Sequence, residues 1–218
     1  MELDHLFFIA DQRADYPGRL RTMGLVESYR RDHPGQGTAN VCYCFDNMYL
    51  EILWVTDEDA IQSPAISRTG LRERAQWKST RNNPFGLAWR EKPGEAAFDQ
   101  PCWDFKPPYL PEGMTLAVST DSDDPRQPFM FRSPNRAAPI VWPSELRGTL
   151  QHDAGLGAGS DILLFMPRDL PVSSGLRRLV ESTILRLEVS DEETAAVTLT
   201  ADRKDGGGNL KINLPVMA

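Results

Sequence analysis

The feature that most constrains this chain is a succession of strand and helix patterns that occurs twice. Near the start, Leu3-Asp4-His5-Leu6-Phe7-Phe8-Ile9-Ala10 is a dense apolar run without glycine or proline, of the length of a strand buried on both faces. Pro17 and Gly24 bracket a short helix over 18–23, with Leu20 and Met23 facing inward. Strand patterns follow over 25–31, 38–45 and 48–55, separated by the breaker-rich His33-Pro34-Gly35-Gln36-Gly37 and by the turn pair Asp46-Asn47. In the last third, Asp161-Ile162-Leu163-Leu164-Phe165-Met166 aligns with 5–10. A helix over 171–181 and strands over 183–189, 194–201 and 209–216 come next, with Gly206-Gly207-Gly208 turning the final hairpin. Each third reads βαβββ. Two such units paired about a pseudo-twofold axis predict an α+β fold, a curved, U-shaped mixed sheet with helices outside and a cleft within.

Between the two, Thr56 and Asp59 resemble a helix cap, and Ser63-Pro64 suit the start of a helix over 65–77. Phe85–Arg90 reads as a strand. Residues 91–113 hold five prolines (Pro93, Pro101, Pro107, Pro108, Pro111) among Trp103 and Tyr109, a composition that predicts an ordered loop rather than a tether. Short strands are expected over 114–119 and 128–131. The division is therefore a first module with a helical extension over 1–90, a proline-rich insert with extra strands over 91–150 and a second module over 151–218, together one domain.

Composition narrows the functional classes. Thirty-one acidic against 24 basic residues give a net charge of −7, which disfavours a general binder of nucleic acid. Apolar residues at 40% suffice for a core, and the longest apolar stretches are strand-sized, short of the ~20 residues that span a bilayer. No membrane association is expected. The opening MELDHLFFIA places acids where a secretory signal carries positive charge, predicting a cytoplasmic protein. Three cysteines cannot all pair within the chain, and Cys42 and Cys44 are badly spaced to bridge each other, so reduced thiols are expected.

Chemistry-bearing residues are sparse. His5 and Glu51 are the polar residues embedded in the two most apolar strands of the first unit, and a buried carboxylate needs a partner: a metal, a protonated histidine or an arginine. By ligand type the pair suits Zn, Fe, Mn or Ni. Taken alone, His5 reads first as a strand histidine hydrogen-bonded to a neighbour. The glycines of Gly35-Gln36-Gly37 can offer backbone N–H groups to a ligand or simply turn the chain. Trp54, Trp89, Trp103 and Tyr109 could wall an apolar pocket, and Arg90 at a strand end could meet a substrate carboxylate or only solvent. No nucleophile elbow, phosphate loop or reactive-cysteine context is present.

The strings LDHLFFIA, HPGQGTAN over 33–40, NMYLEILWV over 47–55, NPFGLAWR over 83–90 and PPYLPEGMTLAV over 107–118 resemble the glyoxalase-like domain proteins of the vicinal oxygen chelate superfamily. The resemblance covers most of 2–166. It implies paired βαβββ modules and a cleft for a small organic molecule, either with one divalent metal and lyase, isomerase or dioxygenase chemistry, or as a metal-free binding or sequestering protein. No nucleotide or flavin is implied, and a homodimer stays open. His5 and Glu51 match the superfamily's first-module ligand positions, and His152 resembles a histidine of the glyoxalase-like group, giving His5, Glu51 and His152 as the implied metal set. With a metal bound, Glu51 or His33 would accept a proton. The second module departs from the pattern: the repeat alignment puts Asp161 and Lys211 at its ligand positions, where they could instead pair with each other.

Overall fold

The computed structural model describes residues 1–11, 15–92, 94–95 and 97–215. Pro93 of the proline-rich segment and Val216, at the expected end of the last strand, lie outside the described residues. Strand β1 (Glu2–Ile9) leads through helix α1 (Tyr16–Thr22) to β2 (Tyr29–His33), β3 (Thr38–Cys44) and β4 (Tyr49–Val55). The Asp15 carboxylate caps α1 by accepting the Gly18 N–H at 2.8 Å. The order within this unit is β2-β3-β4-β1, with β1 parallel to β4.

After a short α2 (Glu58–Ile61), the expected helix over 65–77 is broken into a 3₁₀ turn over Ser67–Thr69, α3 (Leu71–Ala75) and the start of α4 (Trp77–Thr80). Neither expected cap operates. Asp57 caps α2 by accepting the N–H groups of Asp59 and Ala60, and Gly70 in the left-handed region separates the 3₁₀ turn from α3. The pieces are tied down by Arg74, whose buried guanidinium donates to the carbonyls of Asn83, Ser122, Pro125 and Gln127.

Strand β5 (Phe85–Arg90) runs antiparallel to β1 and opens a second group with β6 (Cys102–Phe105), β7 (Leu116–Ser119) and β8 (Phe129–Arg132). The segment expected as one loop thus contains β6. The order continues β5-β8-β7-β6 with β5 parallel to β8, the same pattern as β1-β4-β3-β2. The paired modules of one eight-stranded mixed sheet are therefore β1–β4 and β5–β8, related across the β1/β5 seam.

This moves the second module. The last third follows α5 (Ser144–Arg147) and comprises β9 (Leu156–Pro167), α6 (Ser174–Ser182), β10 (Leu185–Ser190), β11 (Ala196–Arg203) and β12 (Asn209–Leu214). It has the expected element sequence, but its strands pair as β10-β9-β11-β12 in a separate four-stranded sheet. Ile162, Leu164 and Leu199 of that sheet share a core with Leu6, Phe8, Leu50, Ile52 and Leu87, so it covers the outer face of the larger sheet. Among the described residues no helix is long and apolar enough to cross a membrane.

The inner face has its own apolar cluster, including Phe7, Ile9, Leu53, Ala88, Phe129 and Phe131. Period-two alternation sends His5 and Phe7, Tyr49 and Glu51, Asn40 and Cys42, and Tyr29, Arg31 and His33 to this side. The sheet curves until its ends meet: Tyr109, in the loop joining β6 and β7, stacks on His33 at the end of β2 with ring centroids 4.4 Å apart.

Candidate functional site

At one rim of the inner face, β1, β2, β3, β4 and β8 line a cleft of about 130 Å³, closed by the 106–115 loop and by Ser133, Pro134 and Asn135. Its floor is polar. The pairing of β1 with β5 slips between Leu3 and His5, and this bulge turns Asp4 to the same side as His5. Asp4 Oδ2 accepts from His5 Nδ1 at 2.8 Å and from Asn135 Nδ2 at 3.1 Å, while Arg90 Nη1 donates to Asp4 Oδ1 at 2.8 Å. Burial pushes the Asp4 carboxyl up, but its hydrogen bonds to His5 and Ser133 and the charges of His5 and Arg90 outweigh that and hold it below the usual range. A carboxylate on Nδ1 places that proton on Nδ1, so Nε2 of a neutral His5 carries the lone pair.

His5 Nε2 faces Glu51 Oε2 at 3.6 Å, beyond hydrogen-bond length. Glu51 Oε1 accepts from Asn40 Nδ2 at 2.6 Å, and the same amide nitrogen lies 3.4 Å from His33 Nε2. Asn40 Oδ1 accepts the Arg31 backbone N–H at 3.0 Å, which fixes the orientation of the amide. His33 Nδ1 sits 2.9 Å from the Thr38 hydroxyl, which also accepts from Gln36 Nε2 at 2.9 Å. Burial lowers the His33 pKa against the pull of Glu51, in keeping with a neutral ring that accepts at Nε2 and donates at Nδ1. Aromatic rings complete the walls. Tyr49 stacks on His5 at 4.3 Å and Phe131 meets it edge-on at 5.3 Å.

Of the residues expected from sequence, the fold gathers His5, Glu51, His33 and Tyr109 in this cleft. The others lie elsewhere. His152 is not among the lining side chains; its Nε2 is 2.5 Å from Asp46 Oδ1. The buried Arg90 guanidinium is engaged by Glu2, Asp4 and the Asn47 carbonyl, leaving nothing for a substrate carboxylate. Trp54 and Trp89 belong to the outer-face core, and Trp103 packs under the Arg68 guanidinium. Gly35, Gln36 and Gly37 turn β2 into β3: Gly35 abuts Pro108, the Gln36 side chain is spent on Thr38, and the Gly37 carbonyl accepts from Thr56 and Asp57. Asp161 pairs with Arg186 at the surface and Lys211 is exposed on β12, so neither stands at a half-site.

Sequence reasoning missed Asp4, Asn40, Tyr29, Arg31 and Tyr49. Asn40, Tyr29 and Arg31 were findable, because they share the period-two face of Thr38 and His33. Asp4 was not, since only the bulge brings it round.

Across the β1/β5 seam, the positions related to His5 and Glu51 are inward residues of β5 and β8: Gly86, Ala88, Phe129 and Phe131. None carries a metal donor. A Cβ added to Gly86 would lie 1.9 Å from Cε1 of Phe7, whose ring fills that half of the floor. Among the described residues no group of three or more His, Cys, Asp or Glu is placed to hold a metal ion. The donor set does not fit the divalent centre of the superfamily's metalloenzymes.

Residues 3–98 match the family described as the glyoxalase-like domain, a span that runs from β1 through β5 and contains Asp4, His5, His33, Asn40 and Glu51 of the cleft. The resemblance read from the sequence is borne out over that span, consistent with the vicinal oxygen chelate superfamily. No curated protein matches the chain. Among solved structures, a hypothetical protein from Staphylococcus aureus is similar at 12% identity and a TM-score of 0.43, over 97% of this chain and 85% of that one.

Proposed function

We propose that the cleft binds a small organic molecule and exchanges a proton with it through His5, without a divalent metal. The observation that carries this reading is the facing pair His5 Nε2 and Glu51 Oε2, 3.6 Å apart and beyond direct hydrogen-bond length; with the ring neutral the two are acceptors turned toward one space. A ligand O–H or N–H placed there bonds to either atom, and a proton passed to Nε2 leaves an imidazolium flanked by Asp4 and Glu51. Asp4 holds the ring in one tautomer, Tyr49 and Phe131 fix its plane, and Asn40 anchors Glu51. The volume limits the ligand. About 130 Å³ is well under the ~300–1,000 Å³ of a drug-sized pocket, so the cleft takes a compact molecule or one end of a longer one.

A thermal-shift screen of small metabolites tests the proposal. A ligand at 100 times its Kd stabilises by about 2.7 kcal/mol, roughly 5–10 °C for a chain of this size. At least one compound should raise Tm in the native protein and lose that effect in both His5→Gln and Glu51→Gln. Zn²⁺, Mn²⁺, Fe²⁺ and Ni²⁺ should be dispensable for the shift. A response that depends on added metal, or that survives both substitutions, would overturn the reading.

A further inference from the structure

We propose that the molecule taken by this cleft is an organic anion, whose carboxylate is received by Arg31 at the mouth while its uncharged end reaches the floor. The inference rests on the cleft reading above and adds the chemical class of the ligand. Tyr29, Arg31 and His33 occupy alternate positions of β2 and so face the cleft together, whereas Asp32 between them points to the other side. Apart from the two histidines, Arg31 is the sole basic residue among those lining the cavity. Its guanidinium lies over the Tyr29 ring, 4.7 Å from the centroid, and no carboxylate of the described residues pairs with it.

That combination is unlike the other arginines near the site. Arg90 is buried and saturated by Glu2, Asp4 and Asn47, and Arg30 is held by Glu27. Stacking on an aromatic face fixes the plane of a guanidinium and leaves its edge N–H groups free for bidentate contact with a carboxylate. The strand under Arg31 is pinned as well, because Asn40 accepts its backbone N–H. The charge of Arg31 bears on both His33 and Tyr109, the pair that closes the cavity.

Glu51 is the one acidic residue in the lining and would repel an anion placed beside it. It sits at the floor, bonded to Asn40 and facing His5, which sets the orientation of the ligand: carboxylate toward Arg31, hydroxyl, carbonyl or ring toward His5. The protein as a whole carries −7, so an anion gains nothing from the general field and depends on this local cation.

The probes are benzoate and its neutral isostere benzamide, titrated into the full-length ¹⁵N-labelled protein and followed through the backbone amides. Benzoate should perturb the amides of His5, Arg31 and Asn40 and bind at least tenfold more tightly than benzamide. Arg31→Gln should bring the two affinities within threefold of each other, and Arg31→Lys should keep part of the preference. Arg31 is exposed, so both variants should match the native Tm without ligand. Equal affinities in the native protein, with the His5 and Asn40 amides perturbed, would overturn the anion inference and leave the cleft reading standing. A preference for benzoate that persists in Arg31→Gln would do the same. If neither probe nor any screened compound perturbs those amides at millimolar concentration, both readings fail.

Discussion

At the scale of single residues, the site depends on one carboxylate that is wholly buried. Asp4 meets Arg90, His5, Ser133 and Asn135, so removing its charge leaves a buried cation short of one partner and frees the His5 ring. Breaking a buried ion pair costs about 3–5 kcal/mol, and Glu2 still holds Arg90, so Asp4→Asn should destabilise by about 2–4 kcal/mol in urea at pH 7. The pH dependence has a definite sign. A carboxyl held below its unfolded value stabilises the fold above about pH 4 and loses that contribution as the pH falls through the folded pKa, because the unfolded chain takes the proton first. The native protein should therefore weaken in acid more steeply than the variant. Urea midpoints at pH 7 and pH 3 check this, and parallel acid limbs would count against the role given to Asp4. His5 and Glu51 were legible from sequence as polar residues in apolar strands. The bulge that recruits Asp4 was not, since a one-residue slip in pairing depends on the opposing strand.

At the scale of elements, the two modules of the large sheet meet along β1 and β5, and the contact is close. Phe7 lies across Gly86, leaving no room for a side chain there. Gly86→Ala should cost about 1–3 kcal/mol through overpacking, the ordinary range for forcing a methyl group into a filled core. Phe7→Leu should relieve part of that cost, so the double variant should be more stable than the sum of the single changes predicts. Denaturant titration of the four proteins reads the coupling directly, and strict additivity would argue that the ring and the glycine do not oppose each other. The same contact closes the second half of the floor to any ligating side chain, linking a packing requirement to the chemistry left in the cleft. The alternation of β3 and β4 was readable from sequence to within a residue or two. The short β6 was not, because four residues after Pro101 give too little pattern to separate a strand from an ordered loop.

For the whole molecule, the two sheets act as one body. Residues of both contribute to a single outer core, Asn47 in the β3–β4 turn exchanges two bonds with Gly159 of β9, and Gln151, just before β9, bonds to both backbone groups of Val26, just before β2. Heating should then give one cooperative transition, with calorimetric and van't Hoff enthalpies in agreement. Two resolved transitions would mean that the 156–214 unit folds independently of the eight-stranded sheet. Sequence by itself determined the strands of the first module and the alternation of their faces, since alternation along a strand and the turns between strands are local properties of the backbone; the meeting of His5 with Glu51 was implied by the family resemblance and rests on the parallel pairing of β1 with β4. Tertiary structure alone decided which later segment completes the sheet. The last third repeats the order of elements but not the pairing, and pairing is chosen by contacts between strands far apart in the chain, where four-residue strands with matching registers outcompete a longer sequence likeness. That choice set Gly86 and Phe131 rather than Asp161 and Lys211 opposite the first half-site, and among the described residues it left Arg31 without a carboxylate partner.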